Sequence, residues 1–484
     1  MKQILNFVNG EFTTSEQTYT NVSPTNGKAI GLVHEAGNDL VDRAVCAAQS
    51  ALNGEWGSLN VPQRVELLNA LADGINNRFD EFLQAECLDT GKPISLAKKI
   101  DIPRGAANFK IFADIIKNVP TEFFHMDTPD TNGAINYGYR SPVGVVGVIC
   151  PWNLPLLLLT WKVGPALACG NTVVVKPSEE TPLTATLLGE VMNEVGIPRG
   201  VYNVVHGFGA ASAGEYVTTH PQVNAITFTG ETRTGQSIMQ AAAIGARPVS
   251  LEMGGKNAAI IFSDCDLDEA IQGTLRSAFA NCGQVCLGTE RVYVQNSIYK
   301  EFVSRLKAGA EALKIGLPED PHTGLGPLIS KKHQEKVLSY YKLAMDEGAT
   351  LVTGGGVPEM GDDLKLGCWV EPTIWTDLAE DSRINKEEIF GPCCHISPFE
   401  NEDDVLEKVN DNNYGLACSI WTRDVSRAHY FSHQIDVGIV WVNSWFLRDL
   451  RTPFGGAKQS GIGREGGVHS LEFYTELKNV CIQL

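Results

Sequence analysis

The stretch PVGVVGVICPWNLPLLLLTWKVGPALACG, residues 142–170, is strongly apolar and decides how the chain around it folds. It is interrupted by Asn153, Pro155, Trp161, Lys162 and Pro165, so no uninterrupted run reaches the ~18–20 apolar residues of a membrane span. A buried strand over residues 143–150, a turn at residues 151–153 and a buried helix explain the stretch better. It therefore predicts one strand–helix unit of a globular domain.

The same strand–helix pattern returns downstream. TVVVK is followed by a predicted helix over residues 184–195, YNVV by a helix over residues 214–219, and AITFT by a glycine-rich turn. Strands that alternate with helices at this spacing predict an α/β fold with a parallel sheet. GFGAAS at 207–212 lacks the third glycine of a dinucleotide fingerprint. FTGETRTG at 228–235 is either a pyrophosphate-binding helix start or an ordinary turn.

Composition limits the classes of function. A chain of 484 residues is long enough for two or three domains, and its net charge of −18 argues against nucleic acid and anionic membranes as partners. Twelve cysteines without regular spacing indicate reduced thiols. No signal-peptide pattern occurs at the start, so we expect a cytoplasmic protein. The ten histidines form no ligand pattern, so we expect no metal.

Three short segments supply reactive groups. Cys286 lies in FANCGQVCLG, Glu252 lies beside a glycine pair in LEMGGKN, and Asn153 lies in PWNLP. A thiol nucleophile, a carboxylate base and an amide donor form a minimal set for covalent chemistry on a carbonyl group. Cys282 is the nearest competing thiol, and most other cysteines are expected to be small buried residues.

These segments occur in a characteristic order with VVVKPSEETP, ITFTGET, EEIFGP and PFGGAKQSGIGREGG. Over nearly its whole length the chain resembles the aldehyde dehydrogenase family. The resemblance implies a parallel-sheet NAD-binding domain (residues 1–123 and 143–252), an α/β catalytic domain (253–440) and a small β oligomerisation element (strands in 124–142 and 470–484). It also implies a homodimer or homotetramer.

The resemblance also implies roles for individual residues. Cys286 matches the nucleophile, Glu252 the general base, and Asn153 with the Cys286 amide the oxyanion hole. Residues that match cofactor contacts are Lys176 and Glu179 (adenine ribose), Trp152, Gly230 and Glu231 (pyrophosphate region), and Glu388 and Phe390 (nicotinamide ribose). The family more often has serine at the Glu231 position. Glu179 favours NAD over NADP, because a carboxylate repels a 2′-phosphate. Lys162 and Glu465 match a lysine near the water path and an accessory proton acceptor.

The substrate is expected to carry a carboxylate. Arg448 and Arg451 lie in the segment that matches the family's substrate funnel, and Arg104 matches a helix on the opposite side. The remaining pocket residues are expected to be apolar: Leu154, Leu158, Trp161, Trp445 and Phe446. Arginines that converge in such a pocket predict a carboxylate clamp formed by Arg104 and Arg448. The alternative is an ordinary ion pair between one of the loop arginines and Asp449.

Within the family, IDIPRGAANFK and NSWFLRDLRTPFGG are similar to the muconic semialdehyde dehydrogenases of aromatic ring-cleavage catabolism. The resemblance implies NAD-dependent oxidation of a 2-amino- or 2-hydroxymuconic semialdehyde, with the amino compound slightly favoured. Three alternatives remain open: a dehydrogenase for other carboxylated semialdehydes, a cofactor-independent thiol hydrolase and a non-catalytic binding or structural protein. The ribose-binding segments argue against the hydrolase. The presence of both Cys286 and Glu252 argues against a non-catalytic protein, and Glu252 also favours water over coenzyme A as the acyl acceptor.

Overall fold

The computed structural model describes residues 2–484. The strands, β1 to β23 in chain order, are Lys2–Ile4, Asn6–Val8, Glu11–Thr13, Thr18–Val22, Ala29–His34, Phe123–Met126, Ala134–Pro142, Val145–Ile149, Thr172–Lys176, Tyr202–Val204, Ala225–Thr229, Val249–Glu252, Asn257–Ile261, Thr289–Gln295, Thr350–Thr353, Thr373–Thr376, Cys393–Phe399, Tyr414–Gly415, Ala417–Trp421, Ile439–Val442, Ala457–Lys458, Gly461–Ile462 and Thr475–Gln483.

The α-helices, α1 to α17 in chain order, are Asn38–Leu52, Glu55–Ser58, Val61–Asn77, Phe79–Thr90, Ile94–Leu96, Ile102–Ile116, Pro155–Ala168, Leu183–Glu194, Ala213–Thr219, Thr232–Ala243, Leu267–Phe279, Tyr299–Glu311, Lys331–Asp346, Arg383–Lys386, Glu402–Asn410, Val425–Gln434 and Gly467–Phe473. A π-helical turn covers Ala97–Asp101, and 3₁₀ turns cover Ala280–Gly283 and Asn296–Ile298.

The predicted strand–helix alternation forms the centre of an eight-stranded sheet with the order β22-β12-β11-β8-β9-β10-β2-β3. The five strands from β12 to β10 are parallel. The chain runs from β8 outward to β10 and then crosses back to β11, so the topological switch point lies between β8 and β11. Ligands bind outside the carboxyl ends of parallel strands at such a point.

Helix α7 explains the apolar stretch at residues 142–170. Every residue of α7 is buried, which confirms the prediction of a buried helix after strand β8. Pro155 is tolerated in its first turn because the amide there has no helical partner. Helix α6 contacts α7 through Phe112, whose ring lies 5.3 Å from that of Trp161. No helix within residues 2–484 combines the length and apolar character that a membrane crossing requires.

A second sheet has seven strands in the order β15-β16-β17-β14-β13-β19-β20, and all but β15 are parallel to their neighbours. After β20 the chain returns to the first sheet, where β22 pairs with β12. Residues 441–469, which the predicted domain boundaries left unassigned, contain this return crossing. It brings the segment with Arg448 and Glu465 close to both sheets.

A small three-stranded sheet has the order β23-β7-β6. Strands β23 and β7 are antiparallel, and their paired residues run from Thr475↔Pro142 to Gln483↔Ala134. The hairpin β6–β7 and the last strand of the chain therefore form one element. Phe123 and Phe124 of β6 are each 60% exposed, so this element presents apolar side chains at its surface.

Candidate active site

The sequence-predicted reactive residues meet between the two large sheets. Trp152 and Asn153 follow β8, Glu252 ends β12, Cys286 precedes β14 and Glu388 precedes β17. The carboxyl ends of the first sheet thus face the amino ends of the second. Side chains that are distant in sequence come together there because the carboxyl ends of parallel strands meet at one edge of a sheet.

The turn that leads to Cys286 is left-handed. After α11 ends, Asn281, Cys282 and Gly283 have φ values of 52°, 57° and 69°. A side chain on Gly283 would clash with the carbonyl oxygen of Gly391, so glycine is required there. Left-handed residues that are not glycine are costly, and their concentration beside a nucleophile is typical of functional sites.

The Cys286 thiol is half-buried and faces carboxylates. Burial raises the pKa of the thiol, and the negative charges of Glu252 and Glu388 raise it further. Arg448 acts in the opposite direction. The carbonyl oxygen of Cys286 accepts a hydrogen bond of 2.7 Å from Asn257 Nδ2, which anchors the nucleophile to the start of β13. A thiol with a raised pKa requires a base for activation.

Glu252 has the environment of such a base. Its side chain is buried, and neither carboxylate oxygen has a hydrogen-bond partner among the residues that the structure describes. Burial raises the pKa of Glu252 well above its usual value, and Glu465 raises it further. Lys162 donates a 2.7 Å hydrogen bond to Glu465 in a buried ion pair next to it. A carboxyl group with a raised pKa can take up protons near neutral pH.

Asn153 is buried close to the nucleophile segment. Its Nδ2 donates a 3.1 Å hydrogen bond to the carbonyl oxygen of Gln284, two residues before Cys286. One N–H of this amide is thus used for anchoring, and the second is left for a ligand. Asn153 Oδ1 is buried and has no partner within residues 2–484. The geometry suits a donor to a negatively charged oxygen.

The residues predicted to contact ribose hydroxyls form two polar groups. Lys176 donates to Glu179 at 3.1 Å. Burial would raise the pKa of Glu179, but the charge and hydrogen bond of Lys176, a backbone hydrogen bond and the charge of Lys332 together lower it, so Glu179 is an ionised acceptor. Glu388 accepts a 2.8 Å bond from the Gly255 amide, and burial raises its pKa to about 7.

Several backbone features suit a dinucleotide. Any side chain at Gly254 would overlap the Glu388 carboxylate, so glycine is required there for Glu388 to lie against the backbone. Phe390 has a φ of 63°, and its ring contacts Trp152 edge to face at 5.4 Å. The Gly230 amide is already committed to the carbonyl oxygen of Glu252 at 3.0 Å. Because the Gly230 amide is already bonded, only the amides of the first turn of α10 are left to bind a pyrophosphate. Glu231 precedes that turn and is exposed.

The structure separates the two arginines of the funnel segment. Arg451 is exposed and forms an ion pair with Asp449 at 2.6 Å. Arg448 instead lies between Trp161 and Phe454, with its guanidinium carbon 4.2 Å and 3.9 Å from their ring centres. The alternative of an ordinary ion pair therefore applies to Arg451 and not to Arg448.

Arg448 lies next to Arg104. Burial lowers the pKa of Arg448 to about 9, and the positive charge of Arg104 contributes. The Nε and Nη2 atoms of Arg448 and the Nε atom of Arg104 are buried without hydrogen-bond partners among the described residues. Two like charges with unsatisfied donors require an anion to satisfy them. Leu158, also predicted for this pocket, is buried on α7 and packs with Leu154 and Leu157.

Sequence reasoning missed several residues that hold the site. Lys256 and Glu290 form a buried ion pair, and Glu290 Oε1 accepts a 2.8 Å bond from the Phe390 amide. His333 bonds the Phe390 carbonyl oxygen at 2.8 Å. Lys256 could have been recognised in the sequence from its position between a glycine pair and a predicted buried strand. No sequence pattern links Glu290 or His333 to Phe390.

The residues that the structure describes contain no group of three or more His, Cys, Asp or Glu side chains able to hold a metal ion.

The paired parallel sheets and the thiol–carboxylate–amide arrangement between them define an enzyme that oxidises aldehydes. The model of the aldehyde dehydrogenase family matches residues 12–480, and the chain belongs to that family. Members typically use NAD or NADP.

Two curated relatives and one solved structure illustrate the match. The chain is 68% identical to a 2-hydroxymuconic semialdehyde dehydrogenase of Pseudomonas sp. (strain CF600), with both chains fully covered. It is 57% identical to a 2-aminomuconic 6-semialdehyde dehydrogenase of Pseudomonas sp., covering 100% and 99%. The NAD⁺ complex of an aldehyde dehydrogenase from Bacillus cereus superposes with a TM-score of 0.95 at 39% identity, covering 100% and 97%.

Proposed function

We propose that this enzyme oxidises a muconic semialdehyde to the dicarboxylic acid with NAD. The observation that carries the proposal is the pair Arg104 and Arg448, whose buried donors have no partner within residues 2–484. A substrate with a distal carboxylate would satisfy both arginines and place its aldehyde at Cys286. The identity of 68% to a 2-hydroxymuconic enzyme makes the 2-hydroxy compound the first substrate to test.

The first half of the reaction uses Glu252, Cys286 and Asn153. Glu252 takes the proton of the thiol, and the resulting thiolate forms a C–S bond to the aldehyde carbon. The carbonyl π electrons move to oxygen, where the free N–H of Asn153 and the Cys286 amide stabilise the negative charge. The loss of one such donor typically costs about 10²–10³ in rate.

The second half releases the acid. Lys176, Glu179 and Glu388 would hold NAD, which would supply the hydride acceptor as the C=O bond re-forms and a thioester is left on Cys286. Glu252 must first pass the thiol proton to solvent. It then takes a proton from water, and the hydroxide adds to the thioester carbon. The C–S bond breaks, and the electron pair returns to Cys286. The buried Lys162–Glu465 pair supplies the charges nearest to the proton on Glu252, and we propose that Glu465 receives it.

The arginine pair gives a direct test. Arg448→Ala is expected to raise KM for 2-hydroxymuconic semialdehyde by roughly 30-fold or more, because a buried charged contact to the substrate is lost. Turnover of benzaldehyde, which has no carboxylate, should change little. NADH formation at varied substrate concentration measures both.

Arg451→Ala is the matched control, since it removes an arginine of the same loop that is exposed and paired with Asp449. It should behave as the unmodified enzyme. Equal losses on both substrates in Arg448→Ala would contradict the carboxylate clamp. Wild-type activity on other carboxylated semialdehydes but not on muconic ones would favour the broader semialdehyde dehydrogenase. Ester hydrolysis without any cofactor-dependent oxidation would favour a thiol hydrolase.

NAD is favoured over NADP by the ionised Glu179 carboxylate beside Lys176. Glu179→Ser should therefore weaken NAD binding and strengthen NADP binding, because it removes the charge that repels a 2′-phosphate. We expect the ratio of the two Kd values to shift toward NADP by about tenfold or more, measured by calorimetry. Exposed Glu407 provides a matched control as Glu407→Gln. An unchanged ratio in Glu179→Ser would contradict the assignment.

Assembly and location are proposed on two further observations. The apolar surface of the β23-β7-β6 sheet supports a homodimer or homotetramer joined through the predicted strands in 124–142 and 470–484. Free thiols at all twelve cysteines are consistent with the reducing cytoplasm.

We also propose two main domains, formed by residues 1–123 with 143–252 and by residues 253–440. The two large sheets support this division.

A further inference from the structure

Two side chains converge on the backbone carbonyl oxygen of Asn153. Lys92 Nζ donates to it at 2.9 Å, and Asn281 Nδ2 donates to it at 3.1 Å. Both residues are buried, and neither is part of the chemistry described above. Hydrogen bonds to one peptide oxygen from two directions restrict how that peptide can rotate.

Lys92 is itself held rigidly. It forms ion pairs of 3.1 Å with Glu86 and 3.0 Å with Asp101, and all three side chains are fully buried. The other oxygen of Glu86 accepts a 3.2 Å bond from the Leu156 amide in the first turn of α7. Lys92 and Glu86 thus hold the backbone on both sides of Leu154, at Asn153 and at Leu156. A buried lysine with two carboxylates is costly to bury, and such costs are typical of functional positions.

Asn281 connects Asn153 to the nucleophile segment. Its Nδ2 also donates to the carbonyl oxygen of Gln284 at 3.1 Å. The same carbonyl oxygen accepts the hydrogen bond from Asn153 Nδ2. One amide group therefore touches both the oxyanion donor and the backbone two residues before Cys286. The left-handed φ of 52° at Asn281 is what directs its side chain into this position.

We propose that Asn281 and Lys92 are positioning residues that fix the Asn153 amide relative to Cys286. The inference rests on the proposed function, in which Asn153 stabilises the negatively charged oxygen. Displacement of that donor by about 1 Å weakens transition-state stabilisation while leaving the substrate contacts at Arg104 and Arg448 intact.

The variant Asn281→Gly tests this, because glycine adopts the left-handed conformation without strain and removes only the amide. We expect kcat to fall about 10–100-fold with KM changed less than about twofold. Alkylation of Cys286 by iodoacetamide, followed by mass spectrometry of its peptide, should keep its rate, because this reaction forms no oxyanion. Asn9→Gly is the matched control: Asn9 has a φ of 53° in the β2–β3 hairpin, and the variant should equal the wild type.

The outcomes separate the inference from the proposed function. An unchanged kcat in Asn281→Gly would overturn the inference, as would a parallel loss of kcat and alkylation rate, which indicates a collapsed turn. If Asn153→Ala retains full kcat, the oxyanion role itself fails, and a wild type that oxidises no aldehyde removes the proposed function as well.

Lys92→Met provides the second variant. It leaves two buried carboxyl groups unpaired, so its fold is checked first by circular dichroism. A folded Lys92→Met is expected to show the same split between kcat and alkylation rate, and normal kcat in it would restrict the positioning role to Asn281. If it does not fold, Lys92→Met combined with Glu86→Gln and Asp101→Asn removes the charge imbalance and is measured instead.

Discussion

Arg448 and Arg451 show how far individual residues can be predicted from the sequence. Both lie in one loop, and the sequence predicted an arginine clamp without deciding which of them was paired with Asp449. The decision depends on Trp161 and Phe454, which form the aromatic surface under Arg448. Trp161 comes from a helix that is distant in sequence, so no local pattern contains this information. The proposed catalytic residues Cys286, Glu252 and Asn153, in contrast, could be proposed from the sequence because each lies in a distinctive short motif.

At the same scale, Glu465 is expected to raise the pKa of Glu252. The pKa of Glu252 is raised by burial and then by Glu465, while Lys162 lowers it. Since Glu252 accepts a proton only when ionised, kcat should rise with pH through its pKa. Glu465→Gln removes one negative charge and leaves the Lys162 cation unopposed. Both changes lower the pKa of Glu252, so the acid limb of the kcat–pH profile should move to lower pH.

The profile of NADH formation against pH measures this shift. Glu407→Gln, at an exposed position on α15, should leave the profile unchanged. A shift toward higher pH in Glu465→Gln would contradict the assigned charge interactions.

At the scale of elements, regular structure was predictable and irregular structure was not. Strands β8 to β11 and helices α7 to α9 follow from apolar runs bounded by glycine and proline. The left-handed turn at residues 281–283 has no such pattern, because asparagine and cysteine do not prescribe a positive φ. The turn is imposed by contact between Gly283 and the loop at Gly391, a neighbour more than one hundred residues away.

Gly283→Ala tests the importance of that contact. It adds a side chain at a φ of 69° and against the Gly391 carbonyl oxygen. We expect a loss of roughly 2 kcal/mol or more in stability and a strong loss of activity. Thermal melting followed by circular dichroism measures the first effect. Gly361→Ala, where an added side chain meets nothing within 4 Å, is the control, and equal Tm values would contradict the prediction.

At the scale of the whole molecule, the residues alone predicted one parallel sheet with helices, and the family resemblance implied an α/β catalytic domain and the small β element. The return of the chain from β20 to β22 was predicted by neither. Strand β22 has two residues, so it is too short to give a periodic signal. It forms only because the larger sheets already bring residues 461–462 to the edge of β12.

Assembly through the small sheet is testable at this scale. Phe123→Lys with Phe124→Lys places two charges on an exposed apolar strand, where they would be buried in a subunit contact at high cost. We expect a lower molar mass in light scattering with unchanged circular dichroism. Val425→Lys, at another exposed apolar residue, should keep the wild-type mass. An unchanged mass in the double variant would place the contact elsewhere.

The pairing of β23 with β7 has a consequence for synthesis of the chain. Arg140 of β7 bonds Thr475 of β23 across 335 positions of sequence. At typical ribosomal speeds, β7 waits roughly 20–60 s for its partner strand. Its edge is open during that time, and only a finished chain can close it. Nascent chains that stop early would keep the edge of β7 unpaired. Chaperones and proteases would then bind or degrade them before they can join intact copies.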